Sequence, residues 1–174
     1  MGIKVIFFDR DGVINEEIGY LHKSEDFIFI DKNFISFHYL KNLGYSFIIV
    51  SNQSGIGRGK YSINDYFSLN SWMLKEFQKN NIDILDTFFC PHAPENNCSC
   101  RKPKTGMFDE AMKKYPIDKE NSWMVGDKET DIIAAQKFGI KNTILVRSGH
   151  AIKEESSSAK HIMDSILDID SIVN

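Results

Sequence analysis

Short apolar runs alternate with amphipathic stretches along most of the chain. Runs with the length and composition of buried strands cover residues 3–8, 45–50, 84–89, 122–125 and 143–146. Helices are predicted at 33–43, from about 62 to 79, at 106–115 and at 130–138. This alternation is typical of a mostly parallel sheet with helices on both faces. The pattern therefore predicts a single doubly wound, Rossmann-like α/β domain over residues 1–174, without a large cap domain.

Local signals mark several helix ends. Ser62 and Asp65 have the spacing of a capping box, and Gly44 and Gly139 follow helical stretches as stop signals. The buried side of the helix that begins near Ser62 is predicted to comprise Tyr66, Phe67, Trp72, Met73 and Phe77. Residues 154–158, which are rich in Glu and Ser, are predicted to form a surface loop.

Charge and hydropathy exclude several classes of protein. The formal net charge is −3 and the sequence pI is about 5.9, so a broad basic surface for nucleic acid is not expected. No apolar stretch approaches the length of a membrane span. The apolar run 5–8 ends at Asp9, which does not match a signal peptide. We therefore expect a cytoplasmic, monomeric protein.

Polar side chains follow the apolar runs at three places. Asp9, Ser51 and Asp127 each come directly after a predicted strand, and Asp11 lies two residues beyond Asp9, next to Gly12. Ligands of doubly wound sheets bind beyond the carboxyl ends of the strands, where such residues meet. The sequence therefore predicts one site that contains these residues.

The residue types at this site suit the transfer of a phosphoryl group. Asp9 is the predicted nucleophile, and Asp11 would protonate the leaving oxygen and later activate water. Ser51 and the amide of Asn52 would hold phosphoryl oxygens, while Lys102 would neutralise charge in the transition state. Each residue taken alone is equally compatible with a structural role.

Two metal ions are predicted. Asp9, Asp11 and Asp127 supply the hard oxygen ligands that Mg²⁺ prefers. The three cysteines lie close together, and with one histidine they form a closed set of four zinc ligands, namely Cys90, His92, Cys98 and Cys100. Such a zinc ion would be structural and would fix the loop 90–100 just before Arg101 and Lys102. Free thiols or a redox pair remain the alternatives.

These motifs resemble those of a known family. Residues 9–14 resemble the first motif of the haloacid dehalogenase superfamily of phosphohydrolases, and Ser51-Asn52, Lys102 and Gly126-Asp127 resemble its other three motifs. The segments Cys-Pro-His at 90–92 and Cys-Ser-Cys-Arg-Lys-Pro at 98–103 are similar to the metal loop of its zinc-containing branch. The resemblance covers most of residues 3–150 and implies a magnesium-dependent phosphatase.

The branch contains enzymes for two substrates. Residues 16–22 and 51–59 resemble enzymes that remove the C7 phosphate of D-glycero-D-manno-heptose 1,7-bisphosphate in the biosynthesis of lipopolysaccharide and other surface polysaccharides. The short spacing between His92 and Cys98 is more similar to that of histidinol-phosphate phosphatases. We expect the phosphorylated sugar and keep histidinol phosphate as the alternative. The substrate contacts that the resemblance implies are Arg10, Glu17, Gly19, Tyr20, Asn52, Gln53, Ser54, Arg101 and Lys128.

Two hypotheses from other functional classes also remain at this point. A zinc-containing nucleic-acid module would leave the acidic pair unused, and the acidic composition argues against it. A phosphotransfer receiver domain would share the fold and the aspartyl-phosphate. In this chain, however, Asp11 is placed to hydrolyse that intermediate. The histidines at 22, 38, 150 and 161 have no ligand spacing and are assigned no function.

Overall fold

The computed structural model describes residues 2–174 and contains one sheet of six parallel strands. The strands are Val5–Phe8 (β1), Ser46–Asn52 (β2), Ile84–Cys90 (β3), Trp123–Gly126 (β4), Asn142–Val146 (β5) and His161–Met163 (β6). Their order in space is β3-β2-β1-β4-β5-β6. The direction of winding therefore changes between β1 and β4, and the predicted doubly wound α/β fold is confirmed.

In the part of the chain that the structure describes, five α-helices accompany the sheet. They are Asn33–Asn42 (α1), Ser54–Gly57 (α2), Ile63–Lys79 (α3), Gly106–Lys114 (α4) and Glu129–Phe138 (α5), and short 3₁₀ segments lie at Ser24–Asp26, Pro94–Asn96, Glu154–Ser156 and Ile166–Ser171. The predicted capping box is present, because Ser62 Oγ accepts from the Asp65 amide at 3.1 Å and Asp65 Oδ2 accepts from the Ser62 amide at 2.7 Å. Gly139 ends α5 with a φ of +108°.

Both faces of the sheet are covered by apolar side chains. Ile6 and Phe8 of β1 belong to a core with residues of α1, α3 and the C-terminal 3₁₀ segment, whereas Val5 and Phe7 belong to a core with α4 and α5. These four side chains are fully buried, which is the burial expected of a parallel strand between two helical layers. No segment within residues 2–174 forms a large cap domain, and no helix there has the length and hydropathy of a membrane span.

Three details differ from the prediction. Phe67 is 49% exposed, because the buried side of α3 follows the helical spacing of Tyr66, Leu69, Met73 and Phe77. Ser51 and Asn52 lie inside β2 rather than after it, since they pair with Phe89 and Cys90 of β3. The edge strand β6 and the 3₁₀ segment that follows it were not predicted; β6 pairs with β5, and the 3₁₀ segment packs against α1.

Candidate active site

A cavity of about 510 Å³ opens at the carboxyl ends of the central strands. Asp9 follows β1 and Asp127 follows β4, so the two carboxylates meet where the winding direction changes. Most of the predicted catalytic and substrate residues line the cavity, namely Asp9, Asp11, Glu17, Gly19, Tyr20, Asn52, Gln53, Ser54, Arg101, Lys102 and Lys128. Arg10, Ser51 and Asp127 are buried beside it.

A buried lysine joins two carboxylates at the floor of the cavity. Lys102 Nζ lies 3.1 Å from Asp9 Oδ1 and 2.8 Å from Asp131 Oδ1, and it donates to the Val50 carbonyl at 2.6 Å. Burial acts to lower the pKa of Lys102, but the charges of Asp131 and Asp9 outweigh it and the pKa is raised. Lys102 therefore carries a fixed positive charge beside the predicted nucleophile.

The same cluster makes Asp9 harder to ionise than an exposed aspartate. Burial raises the pKa of Asp9 to about 6, and the charges of Asp131 and Asp11 add to this increase, while Lys102 opposes it. An additional cation near Asp9 would favour the ionised form that a nucleophile requires.

Only one of the two carboxylate oxygens of Asp127 accepts hydrogen bonds from the described residues. Its side chain is fully buried, Oδ2 accepts from the amide and from Nδ1 of His150, and Oδ1 has no hydrogen-bond partner among the described residues. Carboxylate oxygens of Asp9, Asp127 and Asp131 all lie within 4.8 Å of one another. Burial and the charge of Asp9 raise the pKa of Asp127. A buried group of hard oxygen donors with an unpaired oxygen fits a magnesium ion.

Arg10 is placed behind the cavity and holds Asp11. Its Nε and Nη2 donate to the two oxygens of Asp11 at 3.0 and 2.9 Å, and Nη2 also donates to the Leu21 carbonyl at 3.2 Å. Only 2% of the Arg10 side chain is exposed. The structure therefore brings the Asp11 carboxylate to the cavity wall but pairs it with Arg10 and not with the carboxylates of Asp9 and Asp127.

The side-chain amides of Asn52 and Gln53 also make hydrogen bonds within the protein. Gln53 Nε2 donates to Asp11 Oδ2 at 3.1 Å and to Ser51 Oγ, and its Oε1 accepts from Tyr61. The Asn52 side chain accepts from the Lys102 amide at 3.1 Å and donates to the Lys102 carbonyl at 3.2 Å. The two Asn52 bonds hold the main chain at Lys102 against the end of β2.

The predicted zinc ligands lie together at the base of the same loop. The Cys90, Cys98 and Cys100 sulfurs are 3.1–3.4 Å apart, and His92 Nδ1 lies 3.3 Å from the Cys100 sulfur. The three thiols are free. Three sulfurs and one imidazole nitrogen, all within 4.8 Å, match the donor set of a closed tetrahedral zinc site.

Comparison with known proteins settles the family. A family model described as HAD-hydrolase-like matches residues 99–169. The D-glycero-alpha-D-manno-heptose-1,7-bisphosphate 7-phosphatase of Photorhabdus laumondii is 45% identical over 164 residues, which are 90% of each chain. The chain belongs to the haloacid dehalogenase family. Like its relatives in that family, it is a phosphoric monoester hydrolase. The family resemblance predicted from the four sequence motifs is confirmed.

Other relatives of this haloacid dehalogenase phosphatase agree in sequence and in fold. The D-glycero-beta-D-manno-heptose-1,7-bisphosphate 7-phosphatase of Vibrio cholerae is 42% identical over 177 residues, 97% of this chain and 95% of the relative. The crystal structure of D,D-heptose 1,7-bisphosphate phosphatase from B. bronchiseptica, with magnesium and phosphate, has a TM-score of 0.84. It is 24% identical and 97% of each chain is covered, so this likeness supports the fold.

Asp131 and His150 are charged or ionisable cavity residues of the phosphatase that were not predicted from the sequence. Asp131 lies in the first turn of α5, where its Oδ2 accepts from the Lys128 amide at 3.0 Å, and an acidic residue at the start of a helix was a usable signal. His150 reaches the cavity from the turn after β5, and no local spacing connects it with Asp127. Treating His150 as an ordinary histidine was therefore wrong with respect to its position.

Proposed function

We propose that this phosphatase removes the C7 phosphate of D-glycero-D-manno-heptose 1,7-bisphosphate and leaves the C1 phosphate in place. The names of relatives that are 37–45% identical support this substrate. The observation that carries the proposal is the pair Arg101 and Lys102, which both line the cavity while Lys102 is buried beside Asp9. Two adjacent cations suit a substrate with a reacting phosphate and a distal phosphate.

We place this activity in the cytoplasm, in the supply of nucleotide-activated heptose for lipopolysaccharide and other surface polysaccharides. The whole chain would act as a single catalytic domain. Its monomeric state stays a prediction.

The proposed reaction has two displacements at phosphorus. An Asp9 carboxylate oxygen attacks the C7 phosphate, the bond to the sugar oxygen breaks, and Asp11 gives that oxygen its proton. Asp11 then takes a proton from water, whose oxygen attacks the aspartyl-phosphate, so that inorganic phosphate leaves and the Asp9 carboxylate returns. Lys102 stabilises the charge of the phosphoryl group in both steps. In the structure Arg10 and Gln53 donate to both carboxylate oxygens of Asp11, so Asp11 has to swing away from them towards the substrate to carry this proton.

A magnesium ion would be held by Asp9 and Asp127, next to Asp131. Asp11, the third predicted ligand, has both carboxylate oxygens engaged by Arg10, so its side chain does not join the group formed by Asp9 and Asp127. When bound, magnesium would neutralise charge on the phosphoryl group and favour ionised Asp9. The unpaired Asp127 oxygen and the raised pKa of Asp9 both support a cation at this place.

We also propose a structural zinc ion on Cys90, His92, Cys98 and Cys100. Arg101 follows the last of these ligands, so a fixed loop would keep Arg101 at the cavity. Protein purified without chelators should contain one zinc per chain by elemental analysis. Cys98→Ser should lower the zinc content and raise KM for the bisphosphate more than it lowers kcat. Zinc-free active protein, or a disulfide among these cysteines, would contradict the proposal.

Arg101→Ala should raise KM for the heptose bisphosphate by about 10- to 100-fold with a small change in kcat. The reason is the loss of a charge-assisted hydrogen bond to the distal phosphate, which is worth about 1.5–3 kcal/mol. The matched control is Arg58→Ala, since Arg58 pairs with Glu95 outside the cavity. kcat/KM would be measured with both anomers of the bisphosphate and with histidinol phosphate.

Arg101→Ala should leave the turnover of histidinol phosphate almost unchanged, because that substrate has no distal phosphate. If histidinol phosphate has the higher kcat/KM in the wild-type enzyme, the short spacing between His92 and Cys98 indicated the true substrate. In that case the proposed heptose specificity is wrong.

A further inference from the structure

We propose that His150 is a positioning residue that orients Asp127 for binding of the magnesium ion. This inference rests on the magnesium site of the proposed function and extends it to the turn after β5. His150 Nδ1 lies 2.6 Å from Asp127 Oδ2, and the His150 amide donates to the same oxygen at 2.9 Å. Because a carboxylate oxygen accepts, the hydrogen-bond network assigns the proton to Nδ1.

Asp127 has no other side-chain or main-chain partner for its carboxylate among the described residues. Both hydrogen bonds fall on Oδ2, and Oδ1 is buried and unpaired. Two donors on one oxygen fix the plane of the carboxylate. The free oxygen therefore has a set direction within the group that it forms with Asp9 and Asp131.

The turn that carries His150 is itself seated on the site. Ser148 Oγ donates to the Gly12 carbonyl at 2.7 Å, which ties the turn to the loop after β1. Gly149 packs against the Asp127 side chain so closely that an added Cβ would overlap with it. Arg147, at the start of the turn, is paired with Glu154 and Asp164. These contacts hold the His150 ring at Asp127.

The His150 ring lies at the boundary between the buried carboxylates and the open cavity. Its side chain is 42% exposed, whereas Asp127 is fully buried, and the nearest Glu17 oxygen is 3.9 Å from Nδ1. His150 Nδ1 is therefore within hydrogen-bond distance of Asp127 but not of Glu17. Magnesium requires nearly ideal octahedral geometry, so free rotation of a ligand carboxylate would weaken its binding.

The test compares His150→Leu, which removes the donor, with His150→Asn, whose side-chain amide can donate from nearly the position of Nδ1. Magnesium affinity would be measured by titration calorimetry on the substrate-free protein. We expect His150→Leu to bind magnesium about tenfold more weakly. Loss of a residue that hydrogen-bonds to a metal ligand typically costs about 10- to 100-fold in metal affinity, and the low end applies here because the main-chain amide of residue 150 still donates to Asp127. His150→Asn should stay within about threefold of the wild type.

His38→Leu is the matched control, because His38 is exposed on α1 and does not line the cavity. At saturating magnesium, His150→Leu should recover most of the kcat that it loses at low magnesium. His150→Ala, assayed in parallel, guards against a failure of the leucine variant to fold. It should also lose about tenfold in magnesium affinity.

Two results would overturn the inference in different ways. If the wild type and His150→Leu bind magnesium equally, or if His150→Asn is as weak as His150→Leu, the histidine does not orient Asp127 through its N–H. If Asp127→Asn binds magnesium as well as the wild type, the magnesium site of the proposed function itself is wrong. Only the first result leaves that site intact.

Discussion

Asp9→Asn should lower kcat by at least about 10⁴-fold while the protein still binds its substrate. An amide oxygen is a poor nucleophile, so the substitution removes the group that forms the aspartyl-phosphate and leaves the size of the side chain unchanged. The measurement is steady-state release of inorganic phosphate, with substrate binding followed by calorimetry. Activity above a few per cent of the wild type would contradict covalent catalysis by Asp9.

A stability measurement separates this effect from misfolding. The pKa of Asp9 is raised from 3.8 to about 6, so the folded protein binds the proton more tightly than the unfolded chain does. That penalty on the ionised form is absent at low pH and is fully present above pH 6. In magnesium-free buffer without a chelator at pH 7, Asp9→Asn should therefore unfold with a free energy higher by about 1–3 kcal/mol. A lower free energy of unfolding would indicate that Lys102 compensates Asp9 more completely than the structure indicates.

Lys102→Met should reduce both turnover and stability strongly. The Lys102 side chain is 1% exposed and its ammonium group lies between Asp9 and Asp131, so its removal leaves two carboxylates close together in a buried place. Loss of one partner from a buried charge group typically costs about 3–5 kcal/mol. Loss of an electrostatic group at the reacting phosphate typically lowers kcat by about 10²- to 10³-fold. Chemical denaturation and steady-state kinetics measure the two effects.

The double variant Lys102→Met with Asp131→Asn distinguishes the two roles of the lysine. Removing the Asp131 charge relieves repulsion, so a good part of the lost stability should return. Activity should not return, because the charge beside Asp9 is still missing. Recovery of activity in the double variant would show that Lys102 acts only in folding. The ion pairs with Asp9 and Asp131 thus give Lys102 a large structural role in addition to the catalytic role predicted from the sequence.

The sequence predicted those parts of the molecule that depend on local signals and on the geometry of parallel sheets. The start of α3 follows from the Ser62–Asp65 capping box, and the meeting of Asp9 with Asp127 follows from the shared direction of the strands. The cysteine and histidine residues of the loop 90–100 lie together as their spacing indicated.

Other features depend on contacts that no local pattern encodes. The edge strand β6 has only three residues and is defined by its pairing with β5. Arg10 stands in the first motif, yet its burial behind Asp11 depends on Leu21 and Gln53. His150 meets Asp127 across 23 positions of sequence, through the seating of a turn on Gly12. Such contacts follow from tertiary packing and could not be predicted from spacing.

The most direct test of the proposed function is ³¹P NMR of D-glycero-D-manno-heptose 1,7-bisphosphate during turnover by the wild-type enzyme with magnesium. The account predicts that the C7 phosphomonoester signal disappears, that the C1 phosphate signal persists, and that one inorganic phosphate forms per sugar. Release of the C1 phosphate, loss of both phosphates, or no turnover would contradict it.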